Sequence, residues 1–199
     1  MSSLPERLME TPFAVLSEIT RVLEELGIAY VVVGSFASSM RGLYRATADV
    51  DILADINPAQ IEPLVTALQE NFYLDEQAVR RAVAQHRSFN AIHFDSIFKV
   101  DIFVPLESAF SHQQLARRQL EKIAPDIEQG IYVATAEDTI LAKLKWYRAG
   151  GEISDAQWTD VLGIIGTQGT DLDMDYLREW ANELNVRELL EAALSGENR

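Results

Sequence analysis

The sequence predicts an α/β domain followed by a helical segment, and three features of the chain carry that prediction. Ala29–Val33 is apolar throughout, as expected for a central strand covered on both faces. In the segment 49–54, acidic and apolar residues alternate over the first four positions, which indicates a strand with one buried face. From residue 136 onward the pattern is helical. We therefore expect an α/β domain over residues 1–135 and a helical segment over 136–199 packed on it.

Composition limits the classes of function. The 199 residues are 48% hydrophobic, which suits a globular protein that buries a core. The chain has no cysteine, so disulfides, thiolate metal sites and cysteine nucleophiles are excluded. A net charge of −14 disfavours broad binding to nucleic acid, which needs a basic surface. We find no signal-peptide pattern and no membrane-spanning run, and we expect a cytoplasmic protein without a membrane partner.

Start and stop signals define the elements of the first half. Thr11-Pro12 and Gly27 bracket an amphipathic helix that leads into the strand at Ala29–Val33. Gly34-Ser35 then opens a short helix that ends near Leu43. After the strand at 49–54, Asn57-Pro58 begins a helix that ends near residue 71, and another helix is expected over 75–85.

Two further strands follow, over residues 88–94 and 97–104, with Asp95-Ser96 as a hairpin turn between them. In the second strand Lys99 and Asp101 share one face, and the opposite face is wholly apolar. A helix over 106–117 and a strand over 131–134 complete the α/β part.

The remaining elements are helices. Thr135-Ala-Glu-Asp138 and Ser154-Asp-Ala-Gln157 resemble capping boxes, so helices should start near Ala136 and Asp155. Two more helices are expected over 171–184 and 186–194.

The acidic residues on the second strand are the first candidates for a functional site. Asp49 and Asp51 point to the same side, and two half-buried carboxylates are costly unless a cation or a proton neutralises them. Gly34-Ser35 offers an anion the N-terminus of a helix and a hydroxyl donor. This pattern is explained if Asp49 and Asp51 hold one or two Mg²⁺ ions beside a bound triphosphate. Asp101 would then be a further metal ligand or the group that accepts a proton from the attacking hydroxyl.

These residues also resemble a known family. Gly34-Ser35, the run Arg45-Ala-Thr47-Ala-Asp49-Val-Asp51-Ile and the later Val100-Asp101-Ile are similar to the nucleotidyltransferase fold of the DNA polymerase β superfamily. They look most like the group that contains abortive-infection toxins and uncharacterised bacterial relatives. The resemblance implies a mixed sheet flanked by helices, and two Mg²⁺ ions held by Asp49, Asp51 and Asp101.

The resemblance extends to residues further along the chain. Glu137-Asp138-x4-Lys143 and Asp160 resemble the toxins' downstream lysine and aspartate, which implies that Lys143 contacts phosphate with Asp160 as its neighbour. The alternative is a structural ion pair between helices. Arg45 either contacts phosphate or pairs with Asp49, and Thr47 either orients an aspartate or shapes the loop. We assign to nucleotide binding Gly34, Ser35, Arg45, Thr47, Lys143 and Asp160.

The function implied by the resemblance is Mg²⁺-dependent transfer of a nucleoside monophosphate (NMP) from a nucleoside triphosphate (NTP), such as ATP, to a hydroxyl, with release of pyrophosphate. The acceptor is a small molecule, a protein side chain or an RNA end. The acidic surface favours a cationic small molecule or a protein. The alternative is a non-catalytic nucleotide-binding protein or one half of a toxin–antitoxin pair, and a homo-oligomer stays open.

Overall fold

Strands and helices alternate through the first two thirds of the chain, and the last third is helical. The computed structural model describes residues 4–44, 47, 49–122 and 130–196. The helices in these ranges are α1 (Leu4–Glu25), α2 (Gly34–Arg41), α3 (Ile61–Leu68), α4 (Glu76–Gln85), α5 (Ala109–Arg117), α6 (Ala136–Ala149), α7 (Asp155–Gln168), α8 (Met174–Glu183) and α9 (Arg187–Leu194). The strands are β1 (Ala29–Val33), β2 (Asp49–Asp55), β3 (Phe72–Tyr73), β4 (Ser88–His93), β5 (Lys99–Phe103), β6 (Gln119–Glu121) and β7 (Ile131–Val133). In the described part of the chain, no helix is both long enough and apolar enough to cross a membrane.

The described strands form one sheet in the order β3-β4-β5-β2-β1-β7-β6. β2 pairs parallel with β5, and β1 pairs parallel with β7. The pairs β3–β4, β4–β5 and β6–β7 are antiparallel. The sheet is therefore mixed, and the predicted α/β fold class is confirmed.

Contacts within the chain divide it into two units. The first comprises Met1–Val32 and Thr47–Val133 and contains α1, α3, α4, α5 and nearly all of the sheet. The second comprises Val33–Ala46 and Ala134–Arg199 and contains α2 and the helices from α6 to α9. The boundary expected between residues 135 and 136 stays a prediction, and residues 33–46 join the unit that holds the C-terminal helices.

The core of the first unit forms where apolar residues alternate on the central strands. Val50 and Ile52 on β2, like Val100 and Ile102 on β5, are completely buried. Because successive side chains of a strand point to opposite faces, burial of these four residues puts the residues between them on the other face. That second face of β2 and β5 carries the acidic residues.

Two helix starts were predicted to the residue because capping residues supply a local signal. Asn57 accepts a hydrogen bond from the Ala59 amide and forms a capping box with Gln60, but it caps a 3-10 turn over Pro58–Gln60, and the helix expected to end near residue 71 is α3, which begins at Ile61 and ends at Leu68. The hydroxyl of Thr135 accepts from the amide of Asp138, and that of Ser154 accepts from the amide of Gln157. These contacts fix the starts of α6 and α7 at the predicted residues, Ala136 and Asp155.

Other element bounds differ from the prediction. Helix α1 begins at Leu4 and contains Pro12 in its interior, so the start expected at Thr11-Pro12 is wrong. Helix α5 begins at Ala109 because the Ser108 hydroxyl accepts from the Ser111 amide. Strands β3 and β6 were not predicted, since two or three residues are too few to show an alternating pattern.

Within the second unit, α2 ends where the backbone of α7 approaches it closely. A Cβ atom added at Gly42 would lie 2.8 Å from the backbone nitrogen of Ile164 and 3.0 Å from the carbonyl carbon of Gly163. Only a residue without a side chain fits this contact, because backbone atoms cannot move aside as a flexible side chain can.

We expect Gly42→Ala to lower the free energy of unfolding by about 2–3 kcal/mol through overpacking. Gly166→Ala is the matched control, since Gly166 lies on α7 with no atom within 4 Å of an added Cβ. The control should raise the free energy of unfolding by about 0.5–1 kcal/mol, because alanine favours the helix over glycine. Urea unfolding measures both, and equal effects of the two substitutions would contradict the close contact.

Candidate active site

Three predicted aspartates lie on one face of two paired strands. Asp49 and Asp51 alternate with buried residues on β2, and Asp101 does the same on β5. The two strands are parallel, with Asp51 directly beside Asp101. The structure therefore brings Asp49, Asp51 and Asp101 to the same side of the sheet, and we call this set the acidic face. Their roles in catalysis and metal binding stay predictions.

A lysine that we had not assigned to the site lies within the acidic face. Lys99 is in register with Asp49, and its Nζ is 2.7 Å from Oδ2 of Asp101 and 3.8 Å from Oδ2 of Asp49. The hydrogen bond to Asp101 is the largest effect on the pKa of Lys99 and raises it. Burial acts in the opposite direction, and the charges of Asp101, Asp49 and Asp51 add to the increase. Strand alternation put Lys99 on the face of Asp101, but the sequence did not show that it would reach Asp49.

Thr47 contacts the first aspartate of the acidic face. Its hydroxyl donates to the backbone oxygen of Asp49 at 2.8 Å and approaches Oδ1 of the same residue at 3.3 Å. The backbone contact suits a residue that shapes the loop, the side-chain contact suits one that orients an aspartate, and the role of Thr47 stays a prediction. Arg45 lies outside the described residues.

The acidic face has donors suited to a divalent cation. Carboxylate oxygens are the hard ligands that Mg²⁺ prefers, and an ammonium group already lies against two of these carboxylates. Within residues 4–44, 47, 49–122 and 130–196, however, no three acidic or histidine side chains are grouped closely enough to hold a metal ion as they stand. Asp49, Asp51 and Asp101 are the residues that fit such an ion, and Asp49 and Asp101 would have to exchange their contacts with Lys99 for it.

The predicted phosphate-binding turn lies in the second unit. Gly34 has a φ of +65°, a left-handed conformation that favours glycine, and α2 begins at this residue. Val33 occupies the N-cap position and supplies no side-chain cap. Ser35 lies in the first turn of the helix, and the predicted roles of Gly34 and Ser35 stay predictions.

Lys143 and Asp160 form an ion pair between α6 and α7. Nζ of Lys143 donates to Oδ2 of Asp160 at 2.6 Å, and the two side chains are only 5% and 9% exposed. The structure thus brings this predicted pair together, as both sequence-based alternatives require. Contact of Lys143 with phosphate stays a prediction.

The acidic residues at the start of α6 bind to α8 and the turn before it. Oε1 of Glu137 accepts from the backbone amide of Asp173 at 3.0 Å, and Oδ1 of Asp138 accepts from the Tyr176 hydroxyl at 2.6 Å. Both carboxylates are buried, so their contacts join helices within the second unit.

Comparison with known proteins identifies the fold. No protein-family model and no curated protein sequence matches the chain. Solved structures do match. The crystal structure of ANT(2'')-Ia in complex with adenylyl-2''-tobramycin has a TM-score of 0.58 at 9% identity, over 89% of this chain and 99% of that one. The solution structure of the same antibiotic-resistance factor has a TM-score of 0.54 at 11% identity, over 94% and 95% of the two chains. An antigenic nucleotidyltransferase-like protein from Paracoccidioides brasiliensis has a TM-score of 0.54 at 18% identity, over 96% and 94%.

The chain therefore has the nucleotidyltransferase fold, as the sequence resemblance predicted. At identities of 9–18% these similarities establish the fold. The closer resemblance to abortive-infection toxins stays a prediction.

Proposed function

We propose that this protein is a metal-dependent nucleotidyltransferase that moves an NMP from an NTP to a hydroxyl acceptor. The observation that carries the proposal is the acidic face, in which three carboxylates from two parallel strands share one side of the sheet in this fold. Burial of their strand neighbours puts all three carboxylates on the same face of the sheet before any ligand binds.

The reaction assigns a task to each part of the site. The acceptor hydroxyl attacks the α-phosphorus of the NTP, the bond from that phosphorus to the bridging oxygen breaks, and pyrophosphate leaves with that oxygen. The proton of the hydroxyl passes to a base, and Asp101 is proposed either as that base or as a further metal ligand. Bound Mg²⁺ would supply charge neutralisation for the triphosphate and for the attacking and leaving oxygens.

Residues of this chain would hold the donor in place. Asp49 and Asp51, with Asp101, are the proposed metal ligands, and Thr47 orients Asp49 through its hydroxyl. We also propose that Gly34 and Ser35 bind the triphosphate, because a glycine at positive φ opens a helix there. Lys143 is proposed as a further phosphate contact. Since the proposed donor is an NTP, we propose a cytoplasmic location.

The proposed acceptor is a cationic small molecule with free hydroxyl groups. The net charge of −14 supports it, because an acidic surface attracts cations and repels polyanions such as RNA. The fold similarity to ANT(2'')-Ia, whose crystal structure contains adenylyl-2''-tobramycin, agrees with a small acceptor.

The test is transfer of label from an NTP. The protein is incubated with Mg²⁺, each labelled NTP in turn and a panel of polyhydroxylated amines, with cell extract as a second source of acceptors. We expect pyrophosphate release and label transfer that fall at least about 10²-fold in Asp49→Asn, because electrostatic stabilisation of the reacting groups is lost.

Asp55→Asn is the matched control, because Asp55 lies six residues beyond Asp49 on β2 and is exposed. It removes the same charge from the same strand and should keep the wild-type rate. Nucleotide binding without transfer to any acceptor would contradict the proposal and support the non-catalytic alternative.

A further inference from the structure

The ammonium group of Lys99 lies where the acidic face would hold a cation. It forms an ion pair with Oδ2 of Asp101 at 2.7 Å and approaches Oδ2 of Asp49 at 3.8 Å. Lys99 and Asp101 are two residues apart on β5, and Asp49 is the strand neighbour of Lys99. Lys99 is therefore positioned by the sheet itself and bridges β2 and β5.

All three carboxylates of the acidic face stabilise the charged form of Lys99. The pKa of Lys99 is raised by its hydrogen bond to Asp101 and by the charges of Asp101, Asp49 and Asp51. Three carboxylates on one face repel one another, and the positive charge of Lys99 offsets part of that repulsion.

The same contact obstructs a metal ion. An ammonium group donates hydrogen bonds and has no lone pair to offer, so it uses the carboxylate lone pairs that Mg²⁺ would need. At the same time the Lys99 side chain is 40% exposed, and its flexible stem can turn into solvent without leaving a cavity.

We propose that Lys99 is a positioning residue that acts as an internal counter-ion of the acidic face and competes with a divalent cation for Asp101. This inference rests on the proposed metal site. Lys99 holds the carboxylates in place without metal and lowers their affinity for it, so that metal binds tightly only when the negative charge of a triphosphate adds to that of the carboxylates.

The experiment measures binding of Mn²⁺ alone to the full chain by electron paramagnetic resonance of the free ion. Lys99→Met keeps the length of the side chain and removes its charge. We expect Mn²⁺ to bind Lys99→Met about ten-fold more tightly than wild type, because repulsion between the ammonium and a divalent ion a few ångströms away is lost. The variant without metal should unfold at a lower temperature than wild type, and Mn²⁺ should raise that temperature more than it does in wild type.

Lys145→Met is the matched control. Lys145 is an exposed residue of α6, and its replacement changes the net charge by the same amount. This control should bind Mn²⁺ as wild type does, and Lys99→Arg should stay within about three-fold of wild type because it retains the charge. Added KCl should narrow the difference between Lys99→Met and wild type through screening.

A purely structural role for Lys99 would lower the stability of Lys99→Met without tightening Mn²⁺ binding, and that outcome overturns the inference. Lys99→Gln serves the same comparison if the methionine variant does not fold. Absence of Mn²⁺ binding in all variants also overturns it. The label-transfer assay with Asp49→Asn decides the proposed function separately, since transfer lost in that variant supports the enzyme whatever Lys99 does.

Discussion

Asp101→Asn is expected to lower the rate of nucleotidyl transfer about 10³-fold, as loss of a general base or of an essential electrostatic group does. Asparagine has the shape of aspartate and can still accept a hydrogen bond from Lys99, so the strand pairing of β5 should persist. The rate therefore reports the lost charge. Label transfer under saturating NTP and acceptor measures it, and circular dichroism checks the fold.

The same variant separates the two roles that the sequence left open for Asp101. If Asp101 binds metal, Mn²⁺ affinity should fall together with the rate. If it accepts the proton, the rate should fall while Mn²⁺ affinity changes little. Asp95→Asn is the control, because it removes the same charge from the exposed turn between β4 and β5. A wild-type rate in Asp101→Asn would contradict both roles.

Asp160→Asn is expected to lower the free energy of unfolding by about 3–5 kcal/mol. Lys143 is only 4% exposed, and its ammonium group lies 2.6 Å from Oδ2 of Asp160. The substitution therefore leaves a buried positive charge without its anionic partner. Urea unfolding of the full chain measures the loss.

A surface ion pair provides the control. Arg80 and Glu76 lie 2.6 Å apart with both side chains more than 40% exposed, so Glu76→Gln should cost less than about 1 kcal/mol. If Asp160→Asn is as stable as wild type but binds NTP more weakly, the pair serves the nucleotide and not the fold. That result would decide between the two alternatives for Lys143.

Local chemistry explains which parts of the fold could be predicted from the sequence. The acidic strands were predictable because Val50 and Val100 must point into the core, which sends the aspartates beside them to the opposite face. Helices α6 and α7 were predictable because Thr135 and Ser154 mark their first turns. The fold class followed from these elements and from the family resemblance.

The remaining features depend on contacts between distant parts of the chain. The sequence put Lys99 on the correct face, but only the pairing of β2 with β5 brings it to Asp49. The burial of Lys143 likewise depends on how α6 packs on α7. Alternation and capping report on neighbours along the chain and contain no information on such pairings.

The ends of the sheet limit how two copies of this protein can associate. β3 and β6, the outermost strands, have two and three residues. Along β3 and β6 themselves, a second molecule that extended the sheet by main-chain hydrogen bonds would find few amide and carbonyl groups, although β4 pairs with β3 only at Ile92 and His93. Among the described residues, pairing of β3 with β3 or of β6 with β6 in a second molecule would therefore add only two or three residues of ladder, which disfavours association through these two strands.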